Sequence, residues 1–185
     1  MEQIYIIMLI ALGILAIIDL VVGVSNDAVN FLNSAIGSKA ISFKITMIVA
    51  SLGVLIGALF SSGMMEIARS GIFVPSMFSF NDVMIIFLAV MIADILLLDV
   101  FNSLGLPTST TVSIIFELLG AAVCLAVYKI VTSDESLANL GAYINTKKAS
   151  MIVYSILLSV FLSFTIGGFV QYISRLIFTF HYEKK

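Results

Sequence analysis

Apolar residues in this chain come in long blocks, broken by a few short polar stretches. The first block, residues 4–24, carries one acid, Asp19. It predicts a retained first membrane span and not a cleaved leader, because Glu2 stands where a leader is basic and the apolar run outlasts an h-region. Blocks at 45–64, 83–104, 107–129 and 151–178 predict further helices of about the 20 residues that a bilayer crossing takes. Gly53 and Gly57 give the second span a close-packing face, and the last is long enough to tilt, or to kink at Gly167 and Gly168. A loop at 65–81 places Phe73, Phe78 and Phe80 at a membrane interface, Asn81-Asp82 reads as a helix start, and a polar loop covers 131–150.

Two polar stretches interrupt this pattern. Residues 23–40, GVSNDAVNFLNSAIGSKA, are too short and too polar to cross a bilayer alone, so at membrane depth they predict a broken or re-entrant element lining a cavity. Asp19, Gly23 and Asn26 are spaced i, i+4, i+7 and form one helical stripe, which should face protein. The second stretch is GLPTSTT, residues 105–111. Pro107 suits the first turn of a helix, followed by Thr108, Ser109, Thr110 and Thr111; Thr110, Ser113 and Glu117 share a face. Such a start is either an ordinary N-cap or, with free N–H groups and the positive dipole end, a site for a small oxyanion.

Composition makes the class plain. With 61% hydrophobic residues, 11% charged and a mean hydropathy of +1.19, the chain has too few charges to solvate a globular surface and is a polytopic membrane protein. Asp19, Asp27, Asp94, Asp99 and Glu117 fall in or beside spans, with no Lys or Arg at comparable depth. Asp27, between Asn26 and Asn30, offers the carboxylate and amide oxygens that a small alkali cation needs, and Glu117 is a further candidate ion ligand. Asp94 and Asp99 point about 140° apart on one helix, too divergent for an aspartyl protease pair. Each is either neutral or bonded to neighbouring helices, or it holds a cation. The single His181 lies in the tail, Cys124 reads as a buried spectator thiol, and no nucleotide-binding glycine loop is present. These readings point away from an enzyme, a resident cofactor or a nucleic-acid partner. Lysines and arginines nearly balance across the predicted loops, so orientation is only weakly determined.

The first stretch resembles the GxNDxxNxxxxxxGS(K/R)A signature of the inorganic phosphate transporter (PiT) family, and the second resembles that family's GLP(V/I)STT segment; order and separation match as well. The resemblance implies an all-α integral membrane fold, a polytopic helical bundle with discontinuous or re-entrant helices that forms one repeat of an inverted-repeat transporter. It also implies symport of inorganic phosphate with sodium or protons, the only cofactors being the co-transported ions. Asn26, Asp27 and Asn30 would belong to the ion and substrate site, with sodium at Asn26 and Asp27, while Ser109, Thr110 and Thr111 would bind phosphate. Val112 stands where many relatives have His, so no role of that His carries over. The chain holds one copy of each motif where the family has two. It is therefore expected to be a single transmembrane domain over 1–185, the N-terminal part of a longer transporter, completed by the second repeat or a second subunit and dimeric as relatives are. The expected setting is the lipid of a bacterial inner membrane. A sulfate or other tetrahedral oxyanion permease, and a non-transporting membrane subunit, are the alternatives.

Overall fold

The computed structural model describes residues 2–66 and 71–178. The described chain divides into two units, Met1–Thr146 and Lys147–Lys185. The second consists of most of one helix, α7 (Thr146–Phe178), 33 residues and continuous through Gly167 and Gly168. Among the described residues, four helices are long and apolar enough to cross a membrane, and the protein is an all-α membrane protein.

The first unit is organised by α1 (Glu2–Ser38), α4 (Phe80–Leu104) and α5 (Thr110–Thr132). Contrary to the expected break, residues 23–38 continue α1, which runs 37 residues before Lys39 turns it off with φ 53°. The segment contains no proline, and asparagine costs a helix only a few tenths of a kcal/mol more than an average residue. Its amides find partners on other helices and so leave the backbone ladder intact.

The next apolar block gives α2 (Phe43–Leu59), 17 residues and shorter than the expected span at 45–64. It is closed by a turn at Phe60 and Ser61 and followed by α3 (Ser62–Glu66).

α4 begins where Asn81-Asp82 announced it. Ser79 accepts from the Asp82 N–H and Asp82 accepts from the Ser79 N–H, a reciprocal capping box. It ends on Gly105 at φ 67°, a left-handed position that favours glycine. Pro107 follows, and α5 starts at Thr110 with Ser109 as its cap, three residues later than the sequence suggested. With 25 and 23 residues, α4 and α5 are about 37 and 34 Å long, each sufficient for a crossing.

The two helices pack antiparallel. At their base the Lys129 ammonium donates to Asp82 at 2.8 Å and to the Met77 carbonyl at 3.1 Å. Leu118, Ala122, Ala126 and Ile130 of α5 are buried at i, i+4 spacing, and the two alanines allow close approach. Ile86, Val90, Asp94 and Leu98 form the buried stripe of α4.

α1 runs parallel to α4, with Tyr5 against Phe80 at one end and Asn26 against Asn102 towards the other. The chain must therefore return between them, and α2, packed on α1, lies in that stretch of sequence.

The connecting segments close the base of the hairpin. Phe73 and Phe78 do not lie out at an interface: they are 2% and 7% exposed and stack edge-on, Phe78 also meeting Tyr143. A bridge, Phe73 to Ile144, joins residues 72–74 to α6 (Leu140–Tyr143) and its following turn. Phe80 is exposed as expected, whereas Cys124 is exposed and not buried. His181 lies outside the described residues.

Candidate functional site

The hairpin tip at residues 105–109 is laid against the polar part of α1. Asn26, 2% exposed, is the hub. Its side-chain N–H donates to the Asn102 amide oxygen at 2.8 Å, and its own oxygen accepts from the Thr108 N–H at 3.2 Å. Asn102 donates in turn to the Val22 carbonyl at 3.3 Å. One turn on, Asn30 donates to the Thr108 carbonyl at 3.0 Å. The two amides of α1 thus hold both backbone groups of Thr108, fixing the tip where no regular secondary structure could.

The Thr110 hydroxyl donates to the Asp27 carboxylate at 3.0 Å, across 83 positions of sequence. Gly23 lies beside this contact, and a methyl there would meet the Thr110 methyl at 3.7 Å and Leu98 at 3.8 Å, ordinary van der Waals distances that leave room for nothing much larger. The predicted stripe of Asp19, Gly23 and Asn26 does face protein.

Ser109 accepts from the Val112 N–H at 3.4 Å, so its hydroxyl acts as a cap in this arrangement, and Thr111 is exposed. Of the predicted site residues, Asn26, Asp27, Asn30, Ser109 and Thr110 come together. Glu117 does not; it lies seven residues, about 10 Å, further along α5. Asn102 and Thr108 belong to the same node. The sequence signal for them was present in Asn102 at the end of a greasy span and in Thr108 beside Pro107, but neither pointed to α1.

Beside the node, Val29, Asn30, Asn33, Ser34 and Pro107 line an open groove of about 450 Å³. A smaller hollow of about 70 Å³ lies behind it, between Asn26, Val29, Phe101, Asn102 and the tip. Chemically the node offers one carboxylate, amide oxygens, hydroxyls and the first N–H groups of a 23-residue helix. It contains no basic side chain, so a bound anion would be met by dipoles and by any cation held at Asp27.

Long apolar helices joined at a polar node of this kind define a helical membrane protein with a candidate small-ion site. The model of the phosphate transporter family matches residues 23–185, and the chain belongs to that family. Among curated proteins, it is 34% identical over 109 residues to "Putative phosphate permease TK2061" of Thermococcus kodakarensis, and 35% identical over the same length to "Putative phosphate permease PYRAB14010" of Pyrococcus abyssi. Each match covers 58% of this chain and 27% of the relative, so the chain spans about a quarter of the length of these relatives. No solved structure matches it significantly.

Proposed function

We propose that this protein moves inorganic phosphate across a membrane together with a cation, sodium or a proton, and that the node of Asn26, Asp27, Asn30 and the 108–111 tip is its half of the binding site. Membership of the phosphate transporter family and the names of the two relatives support the substrate. The observation that carries the mechanism is the hydrogen bond from Thr110 to Asp27.

A hydroxyl has one proton to donate. While Thr110 gives it to Asp27, it cannot give it to an anion at the helix start. A cation on Asp27, with oxygens from Asn26 or Asn30, replaces that proton as the partner of the carboxylate. Thr110 is then free to donate to phosphate beside the N–H groups of the first turn of α5. Cation binding thereby raises phosphate affinity, and phosphate binding raises cation affinity by the same factor. The open side of the node, at Asn30, Asn33 and Ser34, is where polar groups of a second repeat or a second subunit complete the enclosure.

The test is phosphate uptake by the full-length protein in liposomes, with a sodium or a proton gradient imposed separately. Asp27→Asn keeps an acceptor for Thr110 and so should fold normally, while removing the charge that holds the cation. Uptake should fall about 10- to 100-fold, the range for a hydrogen-bonded charge. Undiminished uptake by the folded variant would remove Asp27 from the mechanism. Competition by sulfate in the same assay separates a phosphate carrier from a general oxyanion permease.

A further inference from the structure

A second polar layer crosses the same three helices two turns away from the node. Asp19 precedes Asn26 by seven residues, Asp94 precedes Asn102 by eight, and Glu117 follows Thr110 by seven. Each acid therefore falls on roughly the helix face that carries its counterpart in the node, about 10–12 Å along the axis. Leu98, fully buried, and Gly23 fill the space between the layers.

Asp94 is the centre of this layer. It lies within the buried stripe of Ile86, Val90 and Leu98, is 1% exposed, and neither of its carboxylate oxygens has a hydrogen-bond partner. One oxygen each of Asp19 and Glu117 is buried in the same condition. Register places Asp94 opposite Asp19, since both precede the Asn26–Asn102 contact, by eight and seven residues, on helices that run parallel; Glu117 and Asp27 are the other acids on the neighbouring helices. These come from α1 (Asp19, Asp27) and from α5 (Glu117). The α2 helix, packed on α1, brings only Lys44, exposed in its first turn. Lys129, the basic residue of α5, is twelve residues beyond Glu117 and bonded to Asp82.

An ionised carboxylate at such a place requires a base, a metal ion or several N–H or O–H donors. No base or donor stands there among the described residues, and no three His, Cys, Asp or Glu among them are grouped to hold a metal ion. A proton satisfies the layer with the fewest additions. A protonated carboxyl is both donor and acceptor, and two close carboxyls share one proton because both cannot ionise together.

We infer that the Asp19–Asp94 pair is a proton-binding site inside the membrane, separate from the cation site proposed at Asp27. Glu117 is the acid of this layer that reaches a groove, which it lines with Ala93, Leu97, Ser113 and Thr108. The site stands independently of the phosphate reading, and its test uses no phosphate.

That test is infrared difference spectroscopy of the full-length protein in lipid, in sodium-free buffer, with pH stepped through neutrality. The expected result is a carbonyl band of a protonated carboxylic acid at neutral pH that shifts in heavy water, is lost in Asp94→Asn and is lost or displaced in Asp19→Asn. Carbon-13 labelling of aspartate should move the band in the wild-type protein, which decides the matter even if the Asn variants do not fold. Absence of any protonated carboxyl band at neutral pH would overturn the inference. So would a band that ignores aspartate labelling, or one abolished by sodium at constant pH, which would make the pair a metal site.

Discussion

At the hairpin tip, Asn26, Asn102, Asn30, Thr108, Thr110 and Asp27 join α1 to α4 and α5 through five hydrogen bonds of 2.8–3.2 Å and 3.3 Å. Two turns inward, Asp19, Asp94 and Glu117 stand on the same helices with buried oxygens that have no partner. The two layers share the same three helices and roughly the same helix faces; they differ in chemistry. Amides and hydroxyls both donate and accept, so a few of them close a network unaided. Carboxylates only accept when ionised, and the described residues offer these buried oxygens no donor. The amide layer therefore builds the structure and leaves Asp27 as its one charged opening. The acid layer is left waiting for a proton.

The comparison can be broken first at the small residue that lies between the two layers, Gly23. Gly23→Leu should drive α1 away from Thr110 and Leu98 and destabilise the protein by about 1–3 kcal/mol or more, the cost of overpacking. Gly23→Ala, whose methyl meets ordinary contacts at 3.7 and 3.8 Å, should change the midpoint of thermal unfolding in lipid or detergent very little. Equal effects of the two substitutions would mean that the close approach is not needed.

Removing the hub is the next largest effect. Asn26→Leu deletes two inter-element hydrogen bonds. Such bonds between membrane helices average somewhat under about 1 kcal/mol, so a loss of about 1–2 kcal/mol is expected, read from the same unfolding assay. The tip should also become accessible to a thiol reagent directed at a cysteine placed at Leu106.

The smallest effect belongs to the base of the hairpin. Lys129→Ala removes an ion pair whose side chains are 30% and 17% exposed, and it should cost under about 1 kcal/mol with the acid layer undisturbed. A larger loss would shift the weight of the fold from the polar layers to the aromatic cluster around Phe78, over which Lys129 also lies at 5.5 Å.

Much of this arrangement was legible in the chain itself. The blocks of apolar residues gave the long helices, Asn81-Asp82 gave the start of α4, and the spacing of Asp19, Gly23 and Asn26 gave the face that α1 buries. Asp94 and Asp99, read alike from the sequence, are separated by the structure: Asp94 is buried and Asp99 is exposed, as their angle on the helix allows. What could not be read was decided by partners far away in sequence. Residues 23–38 stay helical because Asn26 and Asn30 find Asn102 and Thr108 more than 75 positions later, so their polarity does not break the backbone. Phe73 and Phe78 are buried because the segment after α6 folds back on them. The grouping of Asp19, Asp94 and Glu117 required knowing that α1 and α4 run parallel with α5 against them.

The central claim is that the proton of the Thr110 hydroxyl is what couples the cation to the anion. The direct measurement is phosphate affinity of the full-length protein at equilibrium, with and without the coupling cation, in the wild type and in Thr110→Val and Thr110→Ser. The account predicts that the cation tightens phosphate binding in the wild type and in Thr110→Ser, and that in a folded Thr110→Val the two affinities become nearly equal. If Thr110→Val keeps the wild-type dependence on the cation, the bond between Thr110 and Asp27 is structural and the coupling lies elsewhere.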